Sequence, residues 1–307
     1  MRHVNWGVAP NPTFEWGNAL MNCRKGIIMN DDIRTEQDDI RTEQAKRIVE
    51  SPGDTGPIMT PKPEQAISAN QARRGFSEQY VKPVVAELIG TFGFVFIGAG
   101  SIITNTLTNG AVGLVGIAFA HGLALAIMIT VFAATSGGHI NPAVTIGFLV
   151  TRRIAPLLGL LYIVAQLVGA TLAGLLLRVI YPQAVWQAAL LGTTYLGPGV
   201  SFGIGVLIEA VLTFFLLLAV FGTAVDKRAP KIGGFGIGLT VFVDVLLGGP
   251  LTGASMNPAR TFGPALAGGF WQNDLVYWIG PIIGAIIAAL IYEYVILRPW
   301  RVGQAMA

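Results

Sequence analysis

Hydrophobic residues fall along this chain in six long runs separated by short polar breaks, at roughly 84–104, 111–134, 155–179, 202–224, 232–250 and 275–297. Crossing a bilayer as a helix takes about 20 mainly apolar residues, and each run meets that requirement. Two further stretches, Val144 to Val150 and Arg260 to about Ala267, are too short to cross. Each follows the tripeptide Asn-Pro-Ala, at Asn141-Pro142-Ala143 and Asn257-Pro258-Ala259. Asparagine is a favoured N-cap, and proline suits the first helical position because its missing N–H would be unpaired there anyway. Each tripeptide therefore predicts a half-helix that enters the membrane and turns back, a form tolerated where it packs inside protein or lines a wet cavity.

The runs are related in pairs. Glu87-x-x-x-Thr91-Phe92 in the first recurs as Glu209-x-x-x-Thr213-Phe214 in the fourth. Ser136-Gly137-Gly138-His139-Ile140 precedes the first Asn-Pro-Ala, and Thr252-Gly253-Ala254-Ser255-Met256 precedes the second. The chain reads as two three-span repeats, about 84–180 and about 202–297. Three is odd, so the second copy enters from the opposite face, the inverted arrangement in which functional sites form near the midplane. The predicted fold class is an all-α membrane protein: six transmembrane helices plus two re-entrant half-helices in an inverted repeat. Glycines at helical spacing, Gly169 with Gly174, Gly234 with Gly238 and Gly280 with Gly284, suit close helix crossings. Tyr181, Trp186, Tyr195, Trp271 and Trp300 sit near span ends and read as interfacial anchors.

Charge sharpens the domain picture. Only 12% of the 307 residues are charged and 53% are hydrophobic. Residues 1–80 hold 11 acidic and 10 basic side chains, which leaves 6 acidic and 10 basic ones for the rest. The organisation is a polar tail over 1–80, a membrane domain over 81–300 and a short C-terminal tail over 301–307. Lys82, Arg152-Arg153, Lys227, Arg228, Lys231, Arg298 and Arg301 fall at the tail, the second and fourth loops and the C-terminus, with Arg178 the exception. By the positive-inside rule both termini are cytoplasmic. The same rule explains the basic excess, so no nucleic-acid partner is expected. The first 30 residues lack a continuous apolar core and include Glu15, Arg24 and Lys25, so no cleavable signal peptide is expected.

In the tail, Asp31 to Gln37 repeats as Asp38 to Gln44 with one apolar residue per heptad, too few for a coiled-coil seam. A solvated segment is expected there, with Ser51-Pro52 and Thr60-Pro61 as weak phosphoacceptor candidates. Cys23 is the only cysteine, which excludes an intrachain disulfide and a cysteine metal site. No metal or cofactor is expected, and no enzyme: there is no nucleophile and base pair, and the Gly-x-Gly runs at Gly98 and Gly234 lie within apolar spans.

Two half-helices meeting head to head would place two positive dipole ends, roughly half an elementary charge each, at the centre of a pore. Cations and hydronium are repelled there. A capping asparagine that spends its side-chain oxygen on its own helix keeps its amide nitrogen to donate to a passing solute. Water held by two such donors turns both hydrogens away and cannot accept a proton from its neighbour, so a proton wire breaks while water moves. The rival class is a proton-coupled secondary transporter, which also uses inverted repeats and broken helices. It needs a titrating site in the path. Glu87 and Glu209 are ionisable groups inside spans, for which a relay is the default reading. Their symmetric placement away from the tripeptides instead suggests support for the irregular loops.

The paired Asn-Pro-Ala motifs, the repeated Glu-x-x-x-Thr-Phe and the run Asn257-Pro258-Ala259-Arg260 resemble the aquaporin (major intrinsic protein) family over residues 84–297. The resemblance implies a channel domain of the aquaporin fold, one pore per subunit in a homotetramer, and passive conduction of water with exclusion of protons and ions. It also implies a second constriction, toward the outside. Arg260 matches its arginine directly; twenty positions before Asn141 gives His121, and twelve and three before Asn257 give Val245 and Ala254. On residue type alone, His121 reads equally well as a satisfied structural histidine or a pore residue. As a pore residue it would donate to or accept from a permeant, and its titration range would make conductance pH-sensitive. His139 is expected to support the first re-entrant loop, as Glu87 and Glu209 support the two loops.

The His, aliphatic, Ala, Arg set resembles the tonoplast intrinsic proteins, although a tail of 80 residues is unusual for them. It is wider and less polar than the Phe, His, Cys, Arg set of strict water channels, so ammonia, hydrogen peroxide or urea are further expected permeants. A glycerol facilitator of the same fold is the alternative. Against it, Thr261, Ala265 and Tyr277-Trp278 look like the water-selective pattern. Asp244 stands where the subgroup has asparagine, and it either holds the loop before Asn257 or alters the field at the constriction. The expected location is multi-pass in the cell membrane, with the vacuolar membrane as the alternative.

Ala254 also stands where mercury-sensitive water channels carry cysteine. Mercuric chloride is expected to leave water flux through the unmodified chain unchanged and to block Ala254→Cys, as read by stopped-flow swelling. Strong block of the unmodified chain would contradict this placement of the constriction.

Overall fold

The computed structural model describes residues 75–230 and 232–297. The tandem heptad, Cys23, the Ser-Pro and Thr-Pro dipeptides, Lys231, Arg298, Trp300, Arg301 and the C-terminal tail lie outside the described residues. Among those described, all regular structure is helical: α1 (Lys82–Leu107), α2 (Gly113–Ser136), α3 (Pro142–Val150), α4 (Pro156–Ile180), α5 (Gln183–Ala188), α6 (Phe202–Val220), α7 (Phe235–Thr252), α8 (Pro258–Gly268) and α9 (Val276–Ile291). Six helical stretches are long and apolar enough to cross a membrane, at 77–107, 113–136, 156–180, 202–225, 235–252 and 276–297. α3 and α8, of nine and eleven residues, are the two half-helices. Six crossings bring the start of the first span and the end of the last to one side, called here the terminal face; the other is the distal face.

The first span begins at Ser77, earlier than its hydrophobic run, because a polar turn at Ser77–Val81 continues into α1 and Glu78 pairs with Lys82 one turn on. Hydropathy marks only the lipid-facing part of such a helix. The third loop holds an element that the pattern did not predict. α5 buries Trp186, at 6% exposure, against Phe270 and beneath the Arg178 guanidinium, 5.2 Å from the ring. Trp186 is thus a core residue and not the interfacial anchor expected of it, whereas Tyr195 and Trp271 are exposed at 51% and 45%.

Helix crossings follow the glycines. A Cβ on Gly169 would lie 2.3 Å from the Leu88 carbonyl oxygen of α1, one on Gly238 2.3 Å from the Gly122 oxygen of α2, and one on Gly284 2.0 Å from the Ala210 oxygen of α6. With no hydrophobic drive between helices in lipid, close backbone approach supplies the packing. At the terminal face, Arg153 pairs with Glu293 at 2.6 Å, tying the second loop to the end of the last span. Arg228 chelates Asp226 at 2.6 Å and holds its carboxyl well below the usual carboxylate range, and the Tyr292 hydroxyl also donates to it. A depressed carboxyl pKa contributes stability above the unfolded value and loses it only as pH falls through the folded value. The fourth loop therefore stays anchored through neutral and mildly acidic pH.

Gly284→Ala is expected to destabilise the protein by more than the ~1–3 kcal/mol of ordinary overpacking, because the obstacle is backbone. Gly203→Ala, with nothing within 4 Å of the added carbon, should leave the melting temperature in detergent unchanged.

Candidate pore and its constrictions

α2 ends at Gly137 and α7 at Gly253, both left-handed with φ of 89° and 81°. The chain then turns inward through two short loops that repeat one another's strain: Ile140 and Met256 take positive φ of 54° and 53°. A non-glycine residue held there costs on the order of 1–3 kcal/mol and persists only where its surroundings over-determine it. Two fully buried carboxylates do so. Glu87 accepts from Ser136 Oγ (2.6 Å), His139 N (2.9 Å), Ile140 N (2.6 Å) and Gln166 Nε2 (2.8 Å). Glu209 accepts from Thr252 Oγ1 (2.7 Å), Ser255 N (2.9 Å) and Met256 N (2.7 Å). Tyr162 and Tyr277 complete the match, each donating to the last carbonyl of the preceding helix, Ser136 and Thr252, at 2.8 Å.

The strained residues turn their carbonyls toward the opposite half-helix. Asn141 Nδ2 donates to Met256 O at 2.8 Å, and Asn257 Nδ2 donates to Ile140 O at 2.9 Å. Each asparagine also caps its own helix: Asn141 Oδ1 accepts from Ala143 N (2.8 Å), and Asn257 Oδ1 from Ala259 N (3.0 Å) and Arg260 N (3.3 Å). Pro142 and Pro258 follow in the first turn of each helix. The half-helices thus start nose to nose. The residue-type reading left the whole amide for a solute, but the structure spends one of its two N–H bonds across the pair and leaves one.

Both asparagines line a narrow cavity of about 30 Å³, walled by apolar side chains such as Phe94, Val144 and Leu216. Holding one water takes about 10–15 Å³ by this measure, so the cavity suits a short file of waters and nothing bulky. A wider vestibule of about 340 Å³ adjoins it, lined by the third loop and by Val245 and Gly253. His121 lines both spaces and so stands at the waist between them. Ala254 lines the narrow cavity and Val245 the vestibule, each 2% exposed. Arg260 is fully buried, donates from Nη1 to Gly192 O at 2.7 Å and from Nη2 to His121 Nε2 at 3.1 Å, and keeps Nε without a partner among the described residues.

His121 Nδ1 lies 2.9 Å from Ile117 O, a group that can only accept, so Nδ1 carries the proton and Nε2 is the acceptor for Arg260. Both ring nitrogens are engaged. A second proton would have to displace the guanidinium from Nε2, so the pH-sensitive conductance expected from residue type finds no vacant lone pair here. His139 donates its backbone N–H to Glu87 and sets Nδ1 3.1 Å from Thr145 Oγ1, while its ring also walls the narrow cavity. Glu87 and Glu209 line neither space, and neither does Arg260, which reaches the waist only through its bond to His121. Asp244 is buried, makes no hydrogen bond to the loop before Asn257 and has no partner at Oδ2 among the described residues. Sequence reasoning missed Gln166, although a lone polar residue in an apolar span was a usable signal. It also missed Gly192, whose carbonyl gives no sequence signal at all.

A family model described as Major intrinsic protein matches residues 76–292. "Aquaporin TIP4-4" of Zea mays is 50% identical over 221 residues, covering 69% of this chain and 86% of that protein. "Probable aquaporin TIP3-2" of Arabidopsis thaliana is 42% identical over 256 residues, 78% of this chain and 92% of that one. Among solved structures, the aquaglyceroporin from Plasmodium falciparum matches with a TM-score of 0.63 at 27% identity, covering 73% of this chain and 99% of that one.

Glu209→Ala would strand three buried donors, at about 1–3 kcal/mol each. The expected outcome is a sharply lowered melting temperature in detergent together with loss of any flux. An unchanged melt would mean that the Ala254 to Met256 loop holds its shape unaided.

Proposed function

The chain belongs to the major intrinsic protein family, and from that premise we propose that it is a passive membrane channel that conducts water and excludes protons and ions. The observation that carries this reading is the reciprocal bonding of Asn141 and Asn257, which sets two helix N-termini against one narrow cavity. Their dipole ends disfavour cations at that point. The remaining N–H of each asparagine donates to the oxygen of a passing water, which orients it and interrupts proton transfer along the file.

Arg260, His121, Val245 and Ala254 form the selectivity filter at the waist in this reading. Arg260 supplies a fixed positive charge behind the waist, held by two acceptors, and acts on a permeant through its field and through the His121 ring that it holds. His121 presents ring surface and no free N–H, so the filter ranks solutes mainly by size and by their interaction with the guanidinium. Ammonia, hydrogen peroxide and urea are candidate passengers beside water. Glu87, Glu209 and the His139 backbone hold the loops in shape and stay out of the path.

We assign both termini to the cytoplasm from the basic residues at Lys82, Arg152-Arg153, Lys227 and Arg228. A homotetramer is the proposed assembly. TIP-type names among the relatives, with the filter's likeness to tonoplast intrinsic proteins, favour the vacuolar membrane over the cell membrane. Glycerol conduction is the second reading, supported by the aquaglyceroporin among the structural neighbours.

Stopped-flow scattering from proteoliposomes under sorbitol, glycerol, urea and ammonium gradients, with a trapped pH dye, tests these readings together. Water flux well above that of empty vesicles, without proton leak, is expected. Proton entry in step with water, or no acceleration, would sink the reading, and glycerol flux rivalling water would establish the second one. Arg260→Ala is expected to keep water flux while admitting more urea and protons.

A further inference from the structure

Gly98 lies in α1 and is buried, in a stretch where the sequence pattern shows only an apolar span interrupted by Gly-x-Gly. A Cβ built on it would fall 2.7 Å from Cδ2 and 2.8 Å from Nε2 of His121. Carbon atoms in good contact sit ~3.5–4.0 Å apart, so a methyl group there would overlap the ring by roughly 1 Å. The imidazole is not free to yield. Nδ1 donates to Ile117 O at 2.9 Å, Nε2 accepts from Arg260 at 3.1 Å, and Phe94 meets the ring edge-on at 6.1 Å between centroids. Any atom placed on Gly98 must drive the ring off the α1 wall and toward the waist, or break its bond to Arg260.

We propose that Gly98 is a positioning residue for the constriction. The missing side chain recesses the His121 ring into the α1 wall, which sets the width of the waist and keeps Nε2 in line with Arg260. The size limit for a permeant is then decided partly by a residue that never touches it. This deepens the channel reading and rests on it.

The test uses the full chain in proteoliposomes. Gly98→Ala is expected to lower water permeability about tenfold, the effect of about 1.4 kcal/mol of added barrier. In a His121→Ala background the same change should have no effect, because the ring it displaces is gone. Gly100→Ala on the same helix, whose added carbon meets only Leu177 Cδ2 at 3.2 Å, should leave flux as it is. Unaltered flux in Gly98→Ala, or an equal fall with and without His121, overturns the proposal.

Melting temperatures of the four combinations at Gly98 and His121 in detergent read the same coupling without flux: Gly98→Ala should destabilise only when His121 is present. If the unmodified chain passes no water, the channel reading fails while the melting cycle still decides the contact. Should Gly98→Ala fail to fold, recovery of folded protein in the double variant supports the proposal, and failure of both overturns it.

Discussion

At the centre of a bilayer there is no water to satisfy a backbone N–H, and two half-helices that begin there expose several. Everything else in this fold follows from how those groups are met. Glu87 and Glu209 take the N–H bonds of the incoming loops, Asn141 and Asn257 take those of the first helical turn, and the asparagine amides take the carbonyls that the strained Ile140 and Met256 turn inward. The positive φ at those two residues is stable only because each has a carboxylate behind it and an amide in front. Buried carboxylates in a membrane usually suggest proton transfer. Here they replace solvent for the backbone, and their separation from the cavity follows from that task.

The inverted repeat supplies a symmetric scaffold for an asymmetric path. Shifting by the spacing of the two asparagines, 116 residues, carries His121 onto Ile237, Val245 onto Ile129, Ala254 onto Gly138 and Arg260 onto Val144. All four counterparts line the narrow cavity. The polar waist on the distal side therefore has an apolar image toward the terminal face, built from the same backbone positions. At two of the four paired positions the distal side carries His121 and Arg260 where the terminal side carries Ile237 and Val144. The cradles differ more mildly: Gln166 donates to Glu87, while Pro281, at the matching distance from Tyr277, has no side-chain donor to offer Glu209.

Much of the fold was legible because bilayer thickness turns apolar length into a direct signal. Five of the six spans fall within three residues of their hydrophobic runs, the first starting seven residues early at its polar turn, and Asn-Pro-Ala announces a helix start by two local rules that need no partner. Features that depend on distant partners were harder to see. α5 is too short to show a periodicity, and Trp186 looks like any aromatic near a span end until Phe270 and Arg178 cover it. Gln166 lies 79 residues from the carboxylate it serves, and no pattern along one helix reports that distance.

The sequence by itself determined the class of protein, the number of crossings and the two half-helices, because hydropathy and capping are local properties. Tertiary structure alone decided how the polar side chains are spent. It commits one N–H of each asparagine across the pair, both nitrogens of His121 to Ile117 and Arg260, and the Arg260 guanidinium to a carbonyl at Gly192. A side chain's chemistry can be read from its letter, but the groups left free for a permeant are those its neighbours do not use. Those neighbours are set by helix crossings far apart in the chain.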